Sequence, residues 1–411
     1  MKKMIACLAA ALLLLPACEK LNREENLNPE DFTEPVPIQL TRAEQTVRSA
    51  SNDFGMKVFA GLLARSGDRE VSFSPLSLSL ALAMAGEGAK GDTFKQFADV
   101  IGWGDATKEE IGDYYEKMMA GLVKTDPLVV FSSSNSFWVD RGLSLHDSYR
   151  TLLQRYFSAE SYTVDFQDPV TVDKINKWCS DKTEGKIPQM LDRLNPLTRL
   201  VLINALLFKA PWSVNWDVKK DRDFKGTDGK TKKDYLHTIN VLSYGEYENY
   251  EYVAIPYGNG SYEMDIVLPK AGKSVADILP EVDYDAFQYP YPGSEVDLYL
   301  PKWSTEYSSG EDIPKVLESL GLTLPFDPNY ADFSGMSSKT GLYIDMILQK
   351  VRIDVTEKGT EFAAVTVVGV ATSAVKPQAP KRVSLDLNRP FAYFIREIST
   401  NTLLLAGTLS K

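Results

Sequence analysis

Histidine and cysteine are scarce in this chain of 411 residues: two of the first, His146 and His237, and three of the second, Cys7, Cys18 and Cys179. That scarcity removes whole classes of chemistry. There is no H-E-x-x-H, no C-x-x-C and no phosphate-cradling glycine loop with a lysine, so neither a metal ion nor a nucleotide cofactor is expected. A hydrolytic nucleophile at Ser74 or Ser77 would have only those two histidines as candidate bases. Glu263, Asp265 and Asp297 are scattered at strand spacing, without the carboxylate pair a glycosidase needs. Excess positive charge is missing as well. A formal charge of −11 argues against nucleic acid, whose binding requires clustered Lys and Arg. An enzyme is therefore not the expectation.

Long apolar runs are also lacking. Ile5 to Leu15 is too short to span a bilayer. It follows the basic start Met1-Lys2-Lys3 and precedes Leu15-Pro16-Ala17-Cys18, a small-residue cleavage site ending in cysteine. The pattern resembles a bacterial lipoprotein signal: residues 1–17 removed, Cys18 lipidated, and the protein exported and anchored to a bacterial membrane, the outer membrane or cell surface in a Gram-negative cell. A plain secretory leader is the alternative. Glu19 to Pro37, rich in Glu, Asn and Pro, reads as a solvated tether, with 18–45 as its extent and 46–411 as one domain. With Cys7 removed and Cys18 lipidated, Cys179 stands alone and no intrachain disulfide is available. Its helix places Val172, Ile175, Trp178 and Cys179 on one face, the pattern of a packed thiol.

Across the domain, helical spacing appears from Asn52 to Leu63 and from Leu78 to Ala85, around Tyr149 to Tyr156 and from Ile313 to Leu320. Strand patterns appear at Ser132–Val139, Leu200–Lys209, Tyr252–Tyr257, Met264–Leu268 and Val296–Leu300. The most contradictory stretch starts at Gly359. From Thr360 to Ala371 the residues alternate with period two, and only Glu361 is charged, as in a strand buried on both faces. Yet it runs into Thr372 to Pro380, whose two prolines cannot continue a ladder. A potential central strand is tied directly to an exposed loop.

Several motifs, in order, carry a resemblance that covers roughly Asn52 to Lys411. These are F-S-P-x-S-L from Phe73 with the later G-A-K-G-x-T, then T-x-G-K-I from Thr183. An apolar strand containing Asn204 follows, with F-K-x-x-W ending at Trp212. Asp332 to Met336 and the hinge E-K-G-T-E from Glu357 come next, and Asn388-Arg389-Pro390-Phe391 closes the set. Together they resemble the serpins, inhibitors whose reactive loop enters their own sheet. The resemblance implies an α+β fold of three β-sheets and eight or nine helices, monomeric, with an exposed reactive-centre loop at about 357–381.

It also implies site residues. The hinge would be Glu357, Gly359, Thr360, Glu361, Phe362, Ala363 and Ala364. The shutter through which the loop enters would be Ser74, Ser77, Asn204 and Gln349, the last standing where the family usually has His. The reactive bond would fall at Ser373-Ala374, with Thr372 the neighbouring candidate. Small residues there suit an elastase-like protease, and Pro377 disfavours cleavage after Lys376. The implied function is suicide inhibition of serine endopeptidases, with cysteine endopeptidases a further class. Phe362, where the family usually has Ala, keeps the alternative of a non-inhibitory protein cleaved as a simple substrate.

Overall fold

The computed structural model describes residues 33–67, 69–195, 197–288, 293–339, 341–360 and 381–411. Helices in these residues are α1 (Arg42–Ser66), α2 (Pro75–Gly88), α3 (Gly91–Ile101), α4 (Lys108–Leu122), α5 (Asp147–Phe157), α6 (Val170–Lys182), α7 (Val275–Ile278) and α8 (Asp312–Ser319). The strands run β1 (Ser72–Phe73), β2 (Val130–Asp140), β3 (Glu160–Val164), β4 (Leu200–Pro211) and β5 (Asp217–Gly226). They continue as β6 (Gly229–Glu246), β7 (Tyr250–Tyr257), β8 (Tyr262–Pro269), β9 (Gly293–Pro301) and β10 (Trp303–Ser308). The last are β11 (Met346–Thr356), β12 (Gly359–Thr360), β13 (Arg382–Asp386), β14 (Phe391–Glu397) and β15 (Thr402–Leu409).

The strands form a nine-stranded sheet, β1-β15-β14-β8-β7-β6-β9-β13 with β5 on β6, and a six-stranded sheet, β10-β11-β12-β4-β2-β3. Two of the three expected sheets share one ladder because β6 runs unbroken, pairing β5 and β9 over its first part and β7 at its end.

The main core lies between the two sheets, with α2 buried along its whole length inside it. Pro75 occupies the first turn of α2, where its missing N–H costs nothing, and the Ser74 hydroxyl caps it by accepting from Ser77 N. On the opposite face of the six-stranded sheet, α6 lays Ile175, Trp178 and Cys179 against Val201, Ile203 and Ala205 of β4. Burial pushes the Cys179 thiol up to about 12, which keeps it protonated and inert.

The folded body begins earlier than residue 46. Thr41 and Glu44 make a reciprocal capping box that starts α1 at Arg42. Ahead of it, Val36 is held by backbone and side-chain bonds to Thr125, and Ile38 N donates to Ser399 Oγ. The C-terminal part of the expected tether is thus bonded to the body.

Glu263 and Asp265, scattered in the sequence reading, come together because residues two apart on β8 share a face. Arg396 of β14 binds both, Nε donating to Asp265 at 2.7 Å and Nη2 to Glu263. Asp265 is fully buried and Arg396 nearly so. Two carboxylates against one guanidinium out of water cannot both stay charged cheaply. Burial, with the Asp265 charge adding to it, raises the Glu263 carboxyl from 4.5 to about 8. Between those two values the folded state holds a proton that the unfolded chain has lost, so stability falls as pH rises through that window. Melting temperature should therefore decline from pH 5.5 to 8.5 more steeply in the wild type than in Glu263→Gln. Parallel pH profiles would refute this assignment.

Candidate functional site

Within the six-stranded sheet, β4 and β11 are parallel neighbours, paired from Val201–Met346 to Ala205–Lys350. Above that point they part, and the two residues of β12 sit between them. Thr360 pairs with Ala210 on one side and Val355 on the other, and Gly359 with Pro211 and Thr356. The sheet is closed at one end and wedged open at the other.

The open end is held by an aromatic stack and short hydrogen bonds. Thr360 is buried and its hydroxyl lies 2.6 Å from Tyr257 Oη. Burial drives the Tyr257 hydroxyl far above its ordinary pKa, so it stays protonated. Trp212 stacks flat on Tyr257 at 4.3 Å and donates Nε1 to the Thr356 carbonyl at 2.8 Å. At the turn into β12, the Thr356 hydroxyl donates to Gly359 O and accepts from Lys358 N. Lys302 binds Glu357 at 2.6 Å, and this bond holds the Glu357 carboxyl below the usual range.

Gly359 is the residue this wedge cannot replace. Its φ is +142°, and a Cβ there would meet the Ala210 carbonyl oxygen at 2.1 Å and Pro211 Cα at 2.8 Å. Both obstacles are backbone of β4, so no rotamer change relieves them.

Below the wedge, Ser74, Ser77, Asn204 and Gln349 are brought together. Asn204 and Gln349 face each other across the β4–β11 ladder. Gln349 uses its side chain on helix α2, Oε1 accepting from Ser74 N at 2.8 Å and Nε2 donating to Ser74 O at 3.1 Å. Asn204 turns the other way, donating Nδ2 to Asn135 Oδ1 at 2.8 Å and Ser133 Oγ at 3.0 Å on β2. Ser74 Oγ donates to Ser77 Oγ, which lies 3.0 Å from Ser133 Oγ. Helix α2 thus bridges the two halves, through Ser74 to Gln349 and through Ser77 to Ser133. The buried Asn204 Oδ1 alone in this group lacks a partner, a costly state for a carbonyl oxygen out of water. None of these side chains titrates near neutral pH.

Of the remaining site residues, Glu361, Phe362, Ala363, Ala364, Thr372, Ser373, Ala374 and Cys18 lie outside the described residues. Tyr257, Ser133, Asn135 and Lys302 belong to the site without having been singled out in the sequence. The polar run Ser132-Ser133-Ser134-Asn135 inside a strand was the available signal for two of them.

A model of the family described as "Serpin (serine protease inhibitor)" matches residues 49–411. The chain belongs to the serpin family. Iripin-5 of Ixodes ricinus is 32% identical to this serpin over 389 residues, covering 90% of this chain and 95% of its own. An uncharacterized serpin-like protein of Thermococcus kodakarensis is 32% identical over 374 residues, covering 89% and 86%. Among solved structures, the thermophilic serpin tengpin in its native state matches with a TM-score of 0.79 at 27% identity, covering 94% of this chain and 99% of its own.

Replacing Gly359 tests the wedge. Gly359→Ala should expel β12, shift Trp212 emission to the red as its stacked, capped environment opens, and speed hydrogen exchange at Thr360. An unchanged emission spectrum and exchange rate would show that the strand tolerates a side chain there.

Proposed function

We propose that this serpin is a suicide inhibitor of serine endopeptidases that prefer small residues, trapping the protease as an acyl-enzyme when the cut loop enters the sheet between β4 and β11. The observation that carries the reading is the half-filled lane: the first two residues of the entering strand already occupy it, antiparallel to both neighbours.

The two registers agree on what comes next. If the ladders on β4 and β11 were both continued, Phe362 would lie between Phe208 and Ile353, Ala364 between Leu206 and Val351, and Thr366 between Asn204 and Gln349. The neighbouring side chains at these levels are buried against the main core. Thr366 would reach Asn204 with a hydroxyl donor at the level of its unpartnered Oδ1. Entry parts five β4–β11 pairs and builds a ladder on each side of the new strand, so hydrogen bonding favours the filled sheet. Helix α2 is bonded to both halves, Ser74 to Gln349 and Ser77 to Ser133, so parting them also costs one of these links. With Gln rather than a titratable group at 349, opening should not respond to mild acid.

Phe362 favours the second reading, a loop cleaved as a simple substrate. Its ring would enter beside Phe208, which already packs against Tyr257 and Tyr262 at 5.4 and 5.8 Å. Added volume in a packed region costs about 1–3 kcal/mol and slows entry, and trapping requires entry to outrun hydrolysis. The leader of residues 1–17, ahead of Cys18, supports export and lipid anchoring of the same molecule to a bacterial membrane.

Incubation of the mature domain with an elastase-like and a trypsin-like protease tests the proposal. Elastase should give a denaturant-resistant complex of summed mass and release a peptide beginning at Ala374. Cleavage without complex, by both Phe362→Ala and the wild type, would overturn inhibition.

A further inference from the structure

The turn from α5 into β3 opens a cavity of about 710 Å³ at the margin of the six-stranded sheet, separated from the lane by β2 and β4. Ser158, at φ +49°, reverses the chain there, and its N–H and that of Ala159 both close on the Leu153 carbonyl. Helix and strand leave the turn as two walls, with Arg150, Thr151 and Gln154 on one and Ser161 on the other.

Alternate residues of β3 face opposite ways. Glu160 is spent on the α6 side, where Lys182 and Trp178 Nε1 bind its carboxylate. Ser161 and Thr163 face α5, and their hydroxyls accept from Arg150 at 3.0 and 3.2 Å. Those are the side-chain partners of Arg150, and both are neutral. Neighbouring arginines each have an acid: Arg141 binds Asp165 at 2.9 Å and Arg155 lies 3.8 Å from Glu116. Among the described residues no carboxylate forms an ion pair with Arg150, although acidic residues outnumber basic ones by 56 to 45 in the chain.

A guanidinium carries five N–H donors, and two hydroxyl contacts leave Arg150 with three. Further unused donors line the same cavity, since the Gln154 amide and the Ser158 hydroxyl make no hydrogen bond among the described residues. The volume falls in the range of small-molecule sites, and the planar guanidinium matches a carboxylate or phosphate through two parallel bonds. We propose that the α5–β3 cavity binds a small oxyanion, a carboxylate or phosphate group held by the Arg150 guanidinium with Gln154 and Ser158 as neutral donors beside it. The site requires nothing of the segment 361–380, so it stands whether or not the protein traps a protease.

The test is calorimetric titration of the full chain with inorganic phosphate and with succinate, at an ionic strength held constant with chloride so that general screening cancels. At least one of the two should bind saturably with one site per chain and raise the melting temperature as its concentration rises. Phosphate alone would mark a phosphoryl ligand and succinate alone a carboxylate one. Arg150→Gln should weaken binding roughly tenfold or more, and Arg150→Lys, which keeps the charge and loses the two-bond geometry, should fall between. Arg155→Gln, on the same helix, should bind as the wild type does. Heats equal to the chloride blank for both anions would overturn the proposal. So would binding that survives Arg150→Gln, or that Arg155→Gln weakens equally, since either would leave an adventitious ion only. If Arg150→Gln does not fold, wild-type affinity in Arg150→Lys together with Gln154→Ala would overturn it in the same way.

Discussion

The pairing of β4 with β11 is the interaction on which the rest of this structure depends. Two parallel strands with long neighbouring ladders would be expected to stay joined along their length. Here they are joined over five residues and held apart above by Gly359 and Thr360. The lane is therefore defined at both ends, closed by Asn204 and Gln349 and opened by the Tyr257–Trp212 stack. On the proposed function, the segment after Thr360 is the strand that would fill this sheet, separated from it by the need to unzip the closed end.

What holds the closed end is mostly main chain. Gln349 clamps β11 to the backbone of Ser74, and Asn204 clamps β4 to β2. The start of α2 ties both halves across the lane, Ser74 binding Gln349 on one side and Ser77 Oγ lying 3.0 Å from Ser133 Oγ on the other. Such an arrangement resists opening through the ladder, through the packing of α2 and through these bonds. The orphaned Asn204 Oδ1 marks where the closed state is least satisfied, and it lies at the level a threonine hydroxyl would reach.

Much of this was legible in the sequence because its determinants are local. Ser74 and Pro75 start a helix by capping chemistry, and Asn204 announces itself as a polar side chain within a buried strand. Gly359 breaks a strand composition at the point where only glycine fits against β4. The family resemblance added the roles that local rules cannot supply. Less legible were features made by distant contacts. Tyr257 reads as one more strand aromatic until Thr360 is set against it, and Glu263 and Asp265 become a pair only through Arg396 on another strand. The helices α3 and α4 went unread, although Thr107 and Glu110 form a capping box. The docking of residues 36–38 depends on Thr125 and Ser399, which no local pattern connects to them.

On the proposed function, the described sheet is an unfinished state of the chain. Thermal unfolding before and after a single cut in the segment 361–380 tests it most directly. If the cut strand fills the lane between β4 and β11, the cleaved protein should melt far above the intact one, with both fragments remaining associated. An unchanged or lower melting temperature after the cut would contradict the account, because it would mean that the sheet gains nothing from its own loop.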